Sequence, residues 1–106
     1  MVLTMVSLIE NNRTAIEELC RRFHVAKLEV FGSAANGPFD EARSDVDFLV
    51  EFKPLEPGPL ADAYFGLLAE LSDLLNRKVD LITPKAIRNP YFLRAVNQSR
   101  RMLYAA

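Results

Sequence analysis

The sequence predicts an α/β domain, a small mixed β-sheet packed with helices. Three observations predict it. Short apolar runs near residues 27–31, 45–51 and 78–82 have the composition and period of strands. Helical spacing precedes the first run and separates the last two, most clearly in Leu60, Tyr64, Leu67, Leu68, Leu71, Leu74 and Leu75. Glycine, proline and asparagine clusters mark the junctions. The 106 residues suffice for one compact domain, spanning 1–106.

Ser7 followed three residues later by Glu10 reads as a capping box. Ile9, Ile16, Leu19, Cys20 and Phe23 then fall at helical spacing, so a helix is predicted over about 8–23. Cys20 lies on its apolar stripe and reads as a small buried hydrophobe. Arg21 and Arg22 suit the negative end of the helix dipole. His24 is the only histidine, and no cysteine, serine or second histidine is placed to support chemistry on it. Residues 27–31 form the first strand, which Gly32 ends. Ser33 opens a short helical turn through Ala34 and Ala35, and Asn36-Gly37-Pro38 is turn chemistry.

The second strand runs over 45–51. Residues 53–59 hold three prolines and a glycine and read as a loop, with Pro59 at the first helical position. The leucine-rich helix follows and ends at Asn76 in a left-handed cap. A third strand covers 78–82 and stops at Pro84. The last helix starts with Asn89 as cap and Pro90 behind it, and carries Leu93 and Val96. Met102 to Tyr104 forms a final strand or a docking tail.

Half the residues are hydrophobic, a quarter are charged, and the formal net charge is −1. That balance lacks the basic excess of a nucleic-acid-coating protein, so no stable nucleic-acid binding is expected, although a local basic patch escapes such a count. No apolar run approaches the ~20 residues that span a bilayer. The N-terminal stretch has no basic region or cleavage site of a secretory leader. A single cysteine excludes an internal disulfide and cysteine-rich zinc sites, and fits a reducing cytoplasm.

The chemistry concentrates between Leu28 and Val50. Asp45 and Asp47 alternate with apolar Val46, Phe48 and Val50. On a strand both acids share a face, roughly 6.5–7 Å apart at Cα. Adjacent carboxylates repel unless a cation stands between them. Asp80, in the third strand, lies opposite Val79 and Leu81 in facing. The bland alternatives are Asp45 as a turn residue at the strand entry and Asp80 ion-paired with Arg77 or Lys78. Gly32 lets a ligand approach the backbone, and the amides after it, with the Ser33 hydroxyl, suit phosphate oxygens; the alternative is a plain strand-to-helix turn.

Gly32-Ser33, a spacer of eleven residues (34–44), Asp45-Val46-Asp47, and a later Val79-Asp80-Leu81 after a helix together resemble the minimal nucleotidyltransferases of the polymerase beta-like superfamily. The likeness runs from Lys27 over most of the chain, to Arg101-Met102-Leu103-Tyr104. It implies the nucleotidyltransferase fold, ATP as substrate and two Mg2+ ions. Asp45, Asp47 and Asp80 would be the catalytic and metal-binding residues, with Asp80 as ligand or as base. Gly32 and Ser33 would hold the β- and γ-phosphates. Many relatives carry an arginine where Asn36 stands, and Arg43 is the nearby substitute.

Stand-alone members resemble the antitoxin half of bacterial two-gene modules. The resemblance therefore implies a hetero-oligomer with an all-helical HEPN toxin, an RNase, silenced by transfer of AMP from ATP to a tyrosine hydroxyl. Two other readings stay open. One is an antitoxin that neutralises by contact with a weak or vestigial site, favoured by Asn36 and the long spacer. The other is a subunit that adenylylates a small molecule such as an aminoglycoside.

Overall fold

A computed structural model describes residues 5–31 and 45–106. Its helices are α1 (Met5–Asn11), α2 (Arg13–Arg22), α3 (Pro57–Leu75) and α4 (Pro90–Ser99). Its strands are β1 (Val25–Phe31), β2 (Val46–Phe52), β3 (Val79–Ile82) and β4 (Arg101–Ala105), and a 3-10 turn spans Pro84–Ala86. The strands form one mixed sheet in the order β3-β2-β1-β4. β1 runs antiparallel to both β2 and β4, whereas β2 and β3 are parallel. A parallel pair needs a long crossover, and α3 supplies it.

Strand alternation divides the sheet into two unlike faces. Leu28 and Val30 of β1, Val46, Phe48 and Val50 of β2, and Val79 and Leu81 of β3 are buried on one face. There they meet Ile16, Leu19 and Cys20 of α2 and Leu67, Leu71 and Leu75 of α3. The Tyr64 hydroxyl donates to the Leu81 carbonyl and ties α3 to β3. The other face has a smaller cluster, Phe31, Leu49 and Val96 flanked by Ile82 and Ile87. Of the described helices, only α4 contributes to it. This sparser face carries the acids.

The structure departs from the sequence-based expectations at four places. The N-terminal helix is two pieces, because the Asn12 side chain donates to the Leu8 carbonyl at 2.8 Å and competes with the backbone ladder. It already includes Met5, so Ser7 lies inside the helix and not at its cap. The proline-rich segment enters α3 early: Pro57 and Pro59 both sit in the first turn, where amides lack helical acceptors and proline costs little. Leu60, in that first turn, is 38% exposed and stands outside the core. Of the two readings of the C-terminal stretch the strand holds, with Leu103 as an extra bulged residue between the pairs Leu28↔Tyr104 and Glu29↔Met102.

Other expectations hold. Asn76 closes α3 in the left-handed conformation, φ 52° and ψ 47°. The Asn89 side chain accepts from the amides of Tyr91 (2.9 Å) and Phe92 (3.3 Å). Cys20 is fully buried, and burial, helped by Glu17, pushes its thiol up to about 12, which leaves it inert. His24 takes a left-handed turn (φ 61°) between α2 and β1, and its carbonyl accepts from the Lys53 amide.

Candidate functional site

The parallel register of β2 and β3 sets Asp47 directly beside Asp80. The flanking pairs, Val46↔Val79 and Phe48↔Leu81, are buried on the opposite face, so both carboxylates stand on the sparser one. Adjacent strands lie ~4.8 Å apart, close enough for two carboxyl groups to touch. On the other side of Asp47, the antiparallel register places Phe31 of β1. The row across the sheet is therefore aromatic, acid, acid.

Electrostatics register the crowding. Asp47 is raised to about 6 from an ordinary 3.8, first by burial, then by a hydrogen bond with the Asp80 carboxyl and by the charges of Asp80 and Asp45; Lys78 opposes the rise. Asp45 lies one residue before β2 and is partly exposed, with Lys78 Nζ 3.7 Å from its Oδ2. Lys78 thus faces Asp45, where the sequence also allows a pair with Asp80. Arg77 donates through Nε to the Leu75 carbonyl at the end of α3.

Paired hard oxygen donors suit a divalent cation such as magnesium, which takes one or two carboxylates together with substrate oxygens and water. Asp47 and Asp80 fit that requirement. Among the described residues no set of three acidic, histidine or cysteine side chains is gathered as a ready-made metal cage. Gly32, Ser33, Asn36 and Arg43, the sequence candidates for the phosphate side, lie outside the described residues.

Two features of this face were not singled out in the sequence. Glu29, on the inner strand β1, is 5% exposed and accepts a fork from Arg100: Nε to Oε2 at 2.8 Å and Nη2 to Oε1 at 2.5 Å. Lys27 Nζ lies 3.3 Å from the same carboxylate, and Arg100 Nη1 donates to Asn97. The Arg100 guanidinium holds the Glu29 carboxyl below its usual range. The available signal was an acid between Leu28 and Val30 in an apolar strand. The second feature is Phe92 of α4, whose ring meets Phe31 edge-on at 6.0 Å between centroids. It joins the start of α4 to the acid row.

Comparison with known proteins agrees with this architecture. The nucleotidyltransferase domain family matches residues 13–103. A Methanocaldococcus jannaschii protein named as a candidate protein adenylyltransferase is 38% identical over 77 residues, 73% of this chain and 75% of its own. A solved structure described as a candidate minimal nucleotidyltransferase superposes with a TM-score of 0.71 at 29% identity, covering 93% of this chain and 95% of its own. A Shewanella oneidensis structure of a tri-AMPylated HEPN toxin in complex with an MNT antitoxin gives a TM-score of 0.60 at 20% identity. That match covers 92% of this chain and 72% of the other, and shows likeness of fold.

Proposed function

The chain belongs to the nucleotidyltransferase domain family, and on that premise we propose that it transfers AMP from ATP to a tyrosine hydroxyl of a HEPN-type toxin and so acts as its antitoxin in the cytoplasm. The observation that carries the reading is the Asp47–Asp80 pair, held side by side by parallel strands on the face opposite α2 and α3. The relatives named as protein adenylyltransferases and the AMPylated toxin complex of like fold support the choice of AMP and of a protein acceptor.

In this reading the acceptor oxygen attacks the α-phosphorus of ATP. The new O–P bond forms as the bond to the β-phosphate oxygen breaks, and pyrophosphate leaves. The hydroxyl proton passes to Asp80 where that carboxylate serves as the base and not as a metal ligand. Two Mg2+ ions, when bound, supply neutralisation of the phosphates and stabilisation of the attacking and leaving oxygens. Asp47, Asp80 and Asp45 would hold them, with Asp45 released from Lys78. The Gly32 backbone, Ser33 and Arg43 would steady the β- and γ-phosphates.

A second reading is neutralisation by contact alone. The absence of a ready-made three-ligand cage among the described residues, and Asn36 in place of an arginine, favour it. One experiment separates the two: incubation with labelled ATP, Mg2+ and the purified HEPN-type partner, using wild type and the Asp45→Asn/Asp47→Asn double variant. AMP on the partner with wild type only, together with loss of protection in cells by the folded variant, supports transfer. Full protection by the variant removes the enzymatic part.

A further inference from the structure

Five of the thirteen lysines and arginines, and none of the fourteen acids, lie beyond Asp80. The near-neutral total therefore hides a segregation: an acidic body and a wholly basic C-terminal segment made of the 3-10 turn, α4 and β4. Arg100 is neutralised by Glu29. Lys85, Arg88, Arg94 and Arg101 are exposed.

The same segment bears a concentration of exposed apolar side chains. Tyr91 is 79% exposed, Met102 47%, and Phe92 and Leu93 41% each. Tyr91 to Leu93 occupy the first turn of α4, which Asn89 caps. Along α4, Val96 is the buried position, so Tyr91, Arg94, Ala95 and Gln98, at helical spacing from one another, form the outward stripe. The patch is not remote from the acids. Phe92 packs on Phe31, and Phe31 is the register partner of Asp47. The opposite face of the sheet is filled by α2 and α3. Among the described helices, α4 is the one that packs on the side of Asp47 and Asp80.

We propose that the outward stripe of α4, centred on Tyr91 and Arg94, is the docking surface for the acceptor protein, which meets it with an apolar patch edged by acidic side chains. The proposal rests on the protein-acceptor reading above and adds where the acceptor sits. An aromatic anchor with an arginine beside it is the combination that concentrates binding energy in protein interfaces. The basic rim gives it a charge preference, and Phe92, next to Tyr91, packs on Phe31, the neighbour of Asp47.

The test measures binding and transfer separately, on the full chain and the purified HEPN-type partner. Calorimetric titration without ATP gives the partner Kd for wild type and for Tyr91→Glu/Arg94→Glu. The proposal predicts a loss of at least about 30-fold, the scale of a hot-spot removal, and a matching rise in KM for the partner with KM for ATP unchanged. Equal Kd values, or no complex with wild type, overturn it. A rise in KM for ATP alone makes the stripe a nucleotide contact and also overturns it, as does loss of RNA binding in a gel-shift assay with partner binding intact. If wild type binds, the variant does not, and no AMP is transferred by either, the docking surface stands and the transfer reading fails. Arg94→Glu alone, at an exposed position, tests the same surface if the double variant does not fold; its loss of affinity relative to wild type should be large in low salt and shrink in high salt, where the charge is screened, and a loss that does not change with salt, or no loss, overturns the proposal.

Discussion

Asp47 and Glu29 are both acids facing the sparser side of the sheet, yet their surroundings push them in opposite directions. Asp47 is crowded by Asp80 and raised to about 6, so the folded chain holds more protons than the unfolded chain between about 3.8 and 6. Stability therefore falls as pH rises through that window, and repulsion persists at neutral pH. Asp47→Asn should raise Tm at pH 7.5, by about 4–8 °C for each kcal/mol recovered, and give no such gain at about pH 4, where the wild-type carboxyl is largely protonated. A lower Tm at pH 7.5 would contradict the repulsion. Glu29 is held low by Arg100, so its contribution is present above the unfolded value of 4.5 and disappears as pH falls through the folded value. Glu29→Gln should cost about 1–3 kcal/mol in urea unfolding at pH 7.5, and the difference should shrink in acid. The facing of Asp47 was legible because it alternates with the buried Val46 and Phe48, whereas Asp45 lies one residue before β2, where alternation no longer fixes a side chain. The Glu29–Arg100 fork was not legible, because its partners are 71 residues apart and only the pairing of β4 with β1 brings them together.

At the scale of elements, side-chain chemistry at the ends decided most outcomes. Asn76 and Asn89 act as the caps their sequence positions predict, since a left-handed asparagine and an Asn-Pro start are local signals. Asn12 was illegible because its bond to the Leu8 carbonyl competes with a helix that periodicity alone continues. The early start of α3 has no signature in the sequence, because Pro54, Pro57 and Pro59 together read as a loop, whereas the first helical turn tolerates Pro57 and Pro59. Asn89→Ala should cost about 0.5–2 kcal/mol, and hydrogen exchange should speed at the amides of Tyr91 and Phe92 while β1 and β2 stay protected. Unchanged exchange there would show that the cap does not hold α4. Leu71, fully buried between α3 and the sheet, should cost about 2–5 kcal/mol when cut to alanine.

For the whole molecule, the α/β class and a mixed sheet were readable from the order of periodic segments. The strand order was not, because nothing local says that the last strand returns beside the first to make β3-β2-β1-β4. That return gives the sheet one filled face and one sparse face, and it leaves the acids, the Glu29–Arg100 fork and α4 together on the sparse one. No helix among the described residues is long and apolar enough to cross a membrane. If the acids take up magnesium with the nucleotide, Mg2+ and ATP together should raise Tm more at pH 7.5 than at pH 5, because metal ligation needs deprotonated carboxylates. An equal shift at both pH values would contradict ligation by the Asp47–Asp80 pair.

Asp80→Asn can keep a hydrogen bond to Asp47 while removing one charge, so it probes the chemistry with little demand on the fold. Intact-mass spectrometry of the HEPN-type partner after incubation with ATP and Mg2+ should show addition of AMP with wild type. With a folded Asp80→Asn variant, transfer should fall by about 100-fold or more, as when a principal electrostatic group is lost from an active site. Transfer at the wild-type rate by that variant, or an unmodified partner with both proteins, would contradict the account.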